Sequence, residues 1–74
     1  MTKVSVIIPA YNEADVLPAT LAVLRRLTEV DEIIVVDDGS RDNTAEVARR
    51  AGVRVIRLPR NVGKGKALQA GAAA

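Results

Sequence analysis

Two short runs rich in β-branched residues, Val4–Ile8 and Glu32–Val36, constrain this chain more than any other feature. Continuous rather than alternating apolar character marks a strand covered on both faces, as in a parallel sheet. Each run leads into a stretch with helical spacing. Leu17, Leu21, Leu24 and Leu27 line one face of a first helix, with Arg25 and Arg26 at the end where the helix dipole favours cations. Pro9 is expected to end the first strand and Asn12 to cap the helix, with Asp15 three residues on. Pro18 is tolerable only in the first turn, so the helix proper is expected near it after one preliminary turn. Asn43-x-x-Glu46 has capping-box spacing for a second helix over Thr44–Ala51, which Gly52 terminates.

Val53–Leu58 reads as a third strand, placed at an edge because Arg54 and Arg57 interrupt its apolar character. Pro59–Gly63 is a loop, and a third helix runs from near Lys64 to Ala74. The order β-α-β-α-β-α with short connections implies an α/β fold with an open parallel sheet. The last helix carries no stop signal before Ala72-Ala73-Ala74, so residues 1–74 are expected to be a single partial domain that lacks a fourth strand. With its first strand unpaired on one side, such a segment is expected to be molten or aggregation-prone in isolation, because a core of this size stabilises only marginally.

Composition removes several function classes. Without cysteine or histidine there is no disulfide framework, no common zinc site and no histidine-based nucleophilic triad. No apolar run approaches the length of a membrane helix, and Met1-Thr2-Lys3 leads directly into a strand rather than a signal peptide. A cytoplasmic location is the expectation. The net charge of +2 hides an acidic first half and a basic second half. Tyr11 is the only aromatic residue, so there is no platform on which nucleic-acid bases could stack. A small phosphate-bearing ligand suits the positive charge better.

Open parallel sheets bind ligands beyond the carboxyl ends of their strands. Three loops lie there: Pro9–Glu13 with a ring and a carboxylate, Asp37–Ser40 with two carboxylates, and Pro59–Lys66 with Lys64 and Lys66 among glycines. The set suits a nucleotide, with acid for base or ribose and cation for a diphosphate. Asp37 and Asp38 are adjacent, and Gly39 is expected to turn the backbone there and bring Asp38 to the ligand. A carboxylate can accept from the imide N–H of uracil or from the N1–H and amino group of guanine. The alternatives are structural: both aspartates capping the next helix, Tyr11 packing on its own loop, Glu13 favouring a helix N-terminus, and the lysines merely solvated. The third loop is not a Walker loop, since Leu58 or Arg60 stands where that pattern needs glycine, and no G-x-G-x-x-G follows the first strand.

Three motifs, Val4-Ser5-Val6-Ile7-Ile8-Pro9-Ala10-Tyr11-Asn12-Glu13, Val35-Val36-Asp37-Asp38-Gly39-Ser40-x-Asp42-x-Thr44 and Asn61-x-Gly63-Lys64-Gly65-x-Ala67, stand in order along the chain. Together they resemble family-2 glycosyltransferases, which have the GT-A fold and use nucleotide-diphospho sugars. The resemblance implies the Rossmann-like half of that fold, with Pro9, Tyr11, Glu13 and Asp38 at the nucleoside and Lys64 near the diphosphate. The third motif is most similar to the polyprenyl-phosphate branch that includes dolichyl-phosphate mannose synthases. That branch implies a GDP-mannose or UDP-glucose type of donor and a lipid-phosphate acceptor at a membrane surface. The family's Asp-x-Asp motif, which carries Mg²⁺ or Mn²⁺, has no counterpart, because no acidic residue follows Glu46. The catalytic base is missing too, so these residues are expected neither to hold the metal nor to catalyse transfer alone. Two other readings compete: a non-catalytic nucleotide-binding or self-associating scaffold, and a phosphoacceptor site on Asp37 and Asp38. The latter lacks the further Asp and Lys that such a site needs.

Overall fold

The computed structural model describes residues 3–74. Three parallel strands, β1 (Ser5–Ala10), β2 (Glu32–Asp38) and β3 (Arg54–Leu58), alternate with the helices α1 (Leu17–Leu24), α2 (Thr44–Arg50) and α3 (Lys64–Ala73). The sheet order is β1-β2-β3, so β2 is central and β3 lies at an edge, as its two arginines imply.

The two-residue period of a strand sorts the core into two layers. Val35 joins Ala10, Leu17, Leu21 and Ala48 on the face covered by α1 and α2, with Ile8 and Val55 packed against them. Ile34 and Val36 point the other way, where Ala67 of α3, Ile7 and Ile56 complete a second cluster. α3 approaches so closely at Gly71 that a methyl group there would overlap the Ile7 side chain.

Several local expectations need correction. Pro9 does not end β1; it pairs in register with Val36 and the strand continues to Ala10. A proline is tolerated because β1 is an edge of this sheet, where an N–H can be dispensed with. The same open edge leaves Val6, Ile7, Ile8 and Pro9 only half-buried rather than covered on both faces. Asn12 does not cap α1. Val16 occupies the cap position without a side-chain hydrogen bond, and a turn closed by the Glu13 carbonyl precedes the helix, with Pro18 in its first turn.

At its far end α1 tightens: Arg26 and Leu27 donate to carbonyls only three residues back, which leaves Leu27 45% exposed instead of in the apolar stripe. The capping box of α2 does not form either. Asn43 stands at the cap position without a side-chain bond, while Glu46 pairs with Arg49 and Arg50 at 3.9 and 3.3 Å. Among the described residues no helix is long and apolar enough to cross a membrane.

Candidate functional site

The turn after β2 begins at Gly39, whose φ of +71° is open to glycine far more readily than to other residues. Because β2 continues through Asp38, the two aspartates keep the alternation of a strand and serve opposite faces. Asp37, fully buried, accepts the Ser40 N–H through Oδ1 at 3.0 Å. Among the described residues its Oδ2 has no hydrogen-bond partner, and it lies 3.9 Å from Arg57 Nε. Asp38 faces the third loop. Its Oδ1 accepts the Val62 N–H at 2.8 Å and its Oδ2 the Gly63 N–H at 3.0 Å. Neither carboxylate caps α2, and the backbone does not bring the two to one ligand.

The loop after β1 is fastened to the loop after β2 by a polar clasp. Asn12, at φ 52°, donates its N–H to Ser40 Oγ at 2.8 Å and accepts the Arg41 and Asp42 N–H groups on Oδ1 at 2.8 and 3.4 Å. Glu13 donates its N–H to Thr44 Oγ1 at 3.1 Å, and Ala14 donates to Asp42 Oδ2 at 3.2 Å. Asp42 Oδ1 in turn accepts the Thr44 N–H at 3.0 Å and the Thr44 hydroxyl. Three side chains, Ser40, Asp42 and Thr44, therefore hold the backbone N–H groups of residues 12–14, and Asn12 holds the opposite loop in return. The second motif contains Asp42 and Thr44 without assigning them a role, and Asn12 joins the clasp instead of capping α1. Hydrogen bonds between residues so far apart in sequence have no local signature.

This clasp has a pH signature. The Thr44 hydroxyl, followed by the Thr44 and Ala14 N–H groups, holds the Asp42 carboxyl below its usual range. Folding thus favours the ionised form. The contribution is complete above the ordinary carboxylate range and is lost as pH falls through the lowered folded-state value. Glu32, lowered chiefly by the Ser5 hydroxyl and then by Lys3 and Arg54, acts in the same window. The difference between the parent chain and Asp42→Asn therefore isolates the clasp. Urea midpoints of the two should converge as the solution is taken below the carboxylate range; parallel pH curves would show that Asp42 is not linked to folding.

At the carboxyl end of the sheet, Pro9, Ala10, Tyr11, Glu13, Asp38 and Lys64 line one small hollow of about 30 Å³. The five residues named from the sequence, drawn from three loops, are thus brought together. Tyr11 is 42% exposed and leaves its ring open to a ligand. Lys66 is exposed and outside this lining. A larger groove, about 380 Å³, lies where the strands begin, between Arg25, Leu27, Asp31, Glu32 and Arg54. It is open, its charges are mixed, and it is at the wrong end of a parallel sheet for a ligand site. Among the described residues no three acidic or other ligating side chains converge to hold a metal ion. Asp37 and Asp38 serve opposite faces of the sheet and do not converge on one ion.

The profile of glycosyl transferase family 2 matches residues 5–74. The chain belongs to that family. It is 46% identical over 79 residues to the undecaprenyl-phosphate 4-deoxy-4-formamido-L-arabinose transferase of Serratia proteamaculans, covering 93% of this chain and 24% of that protein. The Yersinia pestis protein of the same name is 44% identical over the same coverage. The crystal structure of Mycobacterium tuberculosis glucosyl-3-phosphoglycerate synthase superposes with a TM-score of 0.82 at 35% identity, over 97% of this chain and 30% of that one. Structures of that synthase hold Mn²⁺ and UDP-glucose. This family-2 chain therefore has the Rossmann-like architecture of the GT-A fold, and it spans about a quarter of the length of the transferases it matches.

Proposed function

We propose that these residues form the donor-nucleotide-binding part of a glycosyltransferase that takes a sugar from a nucleotide-diphospho sugar. The observation that carries this reading is the convergence of Pro9, Tyr11, Glu13, Asp38 and Lys64 on one hollow at the carboxyl end of the sheet. The Asp38 and Glu13 carboxylates accept from base N–H or ribose hydroxyl groups, and Tyr11 supplies a ring face. Lys64, at the first position of α3, balances diphosphate charge, reinforced by the unpaired N–H groups of that helix end. The synthase structures with UDP-glucose support a uridine donor, and the undecaprenyl-phosphate relatives support a lipid-phosphate acceptor at a membrane surface. A GDP-mannose type of donor is the alternative.

Transfer itself needs a site for the acceptor phosphate and, as in the Mn²⁺-bound synthase, one for a divalent cation. On this reading both come from residues outside these 74, which bind the donor and leave the chemistry to the rest of the enzyme. Titrating the chain with UDP and with GDP, followed by ¹⁵N–¹H spectra, tests the reading. Saturable shifts at Tyr11, Glu13 and Lys64 are expected with one of the two. Lys64→Ala should weaken that diphosphate about tenfold, the usual scale for a hydrogen bond to a charged group. Dispersed spectra indifferent to both nucleotides would refute it.

A further inference from the structure

We propose that Asp38 is a positioning residue for the diphosphate side of the site, its carboxylate setting the loop from which Lys64 projects. The proposal rests on the nucleotide-sugar reading above and assigns Asp38 a second task beside contact with the base.

Asp38 is 3% exposed at the end of the central strand. Both of its oxygens are occupied by the loop, Oδ1 by the Val62 N–H and Oδ2 by the Gly63 N–H. Bonds from N–H groups to an ionised acceptor are the strong kind. Among the described residues they are the hydrogen bonds that fix the N–H groups of residues 59–63. Gly63, at φ +94°, is the cap residue of α3, and Lys64 is the first residue of that helix. Fixing the Gly63 N–H therefore fixes the start of α3 and the point from which the Lys64 side chain reaches the hollow. A carboxylate has four acceptor positions, so the same group can still receive a base N–H. One side chain then links the two ends of the ligand.

Charge alone makes the opposite prediction. Deleting the negative Asp38 beside a diphosphate would tighten anion binding by removing repulsion. Positioning requires that it weaken.

The test is calorimetric titration of the full chain with two probes, inorganic pyrophosphate and uridine. Asp38→Ala is expected to weaken pyrophosphate about tenfold, with Asp38→Asn between it and the parent. Lys64→Ala should weaken pyrophosphate to a similar degree. The double variant should be little worse than either single one, because both act through one contact. Unchanged or tighter pyrophosphate binding by Asp38→Ala would overturn the proposal. Amide exchange in the unsubstituted chain keeps it testable if Asp38→Ala does not fold: the Val62 and Gly63 N–H groups should exchange more slowly than those of Arg60 and Asn61, and equal rates would also overturn it. A chain that takes up neither probe removes the nucleotide-sugar reading and the coupling with it. Uridine uptake with pyrophosphate indifferent to Asp38 removes the coupling alone.

Discussion

Gly39→Ala is expected to cost roughly 3 kcal/mol, from a disfavoured backbone angle together with a steric overlap. Gly39 holds φ +71°, where a side chain is strained whatever space surrounds it. The space is also absent: an added methyl group would run into the backbone of Arg60 and Asn61. A side chain could swing aside, but backbone atoms move only with their loop. That loop is the one Asp38 holds, so the substitution pushes Val62 and Gly63 away from their acceptor. A globular chain of this length has in total roughly 4–11 kcal/mol of stability, so the loss is a large share. The urea midpoint and the Val62 and Gly63 amide shifts should change together. Gly65→Ala is the control. It lies inside α3 with nothing within 4 Å of the added carbon, so alanine there should be neutral or stabilising. Equal stability of Gly39→Ala and the parent would refute the account.

Gly71→Val is expected to be comparably damaging, roughly 3 kcal/mol by overpacking, for a reason on the other side of the sheet. A Cβ at Gly71 would overlap Ile7 and come within 3.1 Å of Val36 Cγ2, and valine adds two more carbons. Ile7 and Val36 are β-branched and held in the sheet, so they cannot rotate away cheaply. Relief has to come from lifting α3. Lys64 lies seven residues earlier on that helix, about 10 Å along its axis. The variant should therefore lower the thermal midpoint and, on the proposed function, the affinity for a nucleoside diphosphate. Gly71→Ala should be milder, since alanine regains about 1 kcal/mol of helix propensity against a smaller overlap. A valine variant that keeps the parent midpoint would show that α3 is free to rise from the sheet.

The contrast between Ile34 and Asn12 shows what was legible in the sequence. Ile34 lies in an unbroken apolar run, and burial on both faces of β2 is a local property that such a run records. Element order, the parallel sheet and the edge position of β3 follow from patterns of that kind. Pro9 and Asn12 were misjudged by equally sound local rules. Proline usually closes a strand, and asparagine before an apolar stripe usually caps a helix. Here an open edge admits the proline, and the loop after β2, some 28 residues away, recruits the asparagine. The place of Asp38 at a strand end was legible. Its partners were not, since they are backbone N–H groups of Val62 and Gly63, and any residue but proline supplies one. Glycine at 39 announced a turn, whereas the closeness of Arg60 behind it is known only from the fold.

The bonds that shape the hollow also order events in time. Asn12 meets Ser40 and Arg41 across 28 and 29 residues, and Asp38 meets Val62 and Gly63 across 24 and 25. These contacts span the same stretches of chain as the strand pairs themselves, so they close only as the sheet assembles. A chain ending before Val62 holds every residue of the clasp but neither Lys64 nor the two N–H groups that seat it. The hollow is therefore complete only when the third loop is in place. A lesion that merely delays the docking of α3 would leave the sheet standing and the pocket blind.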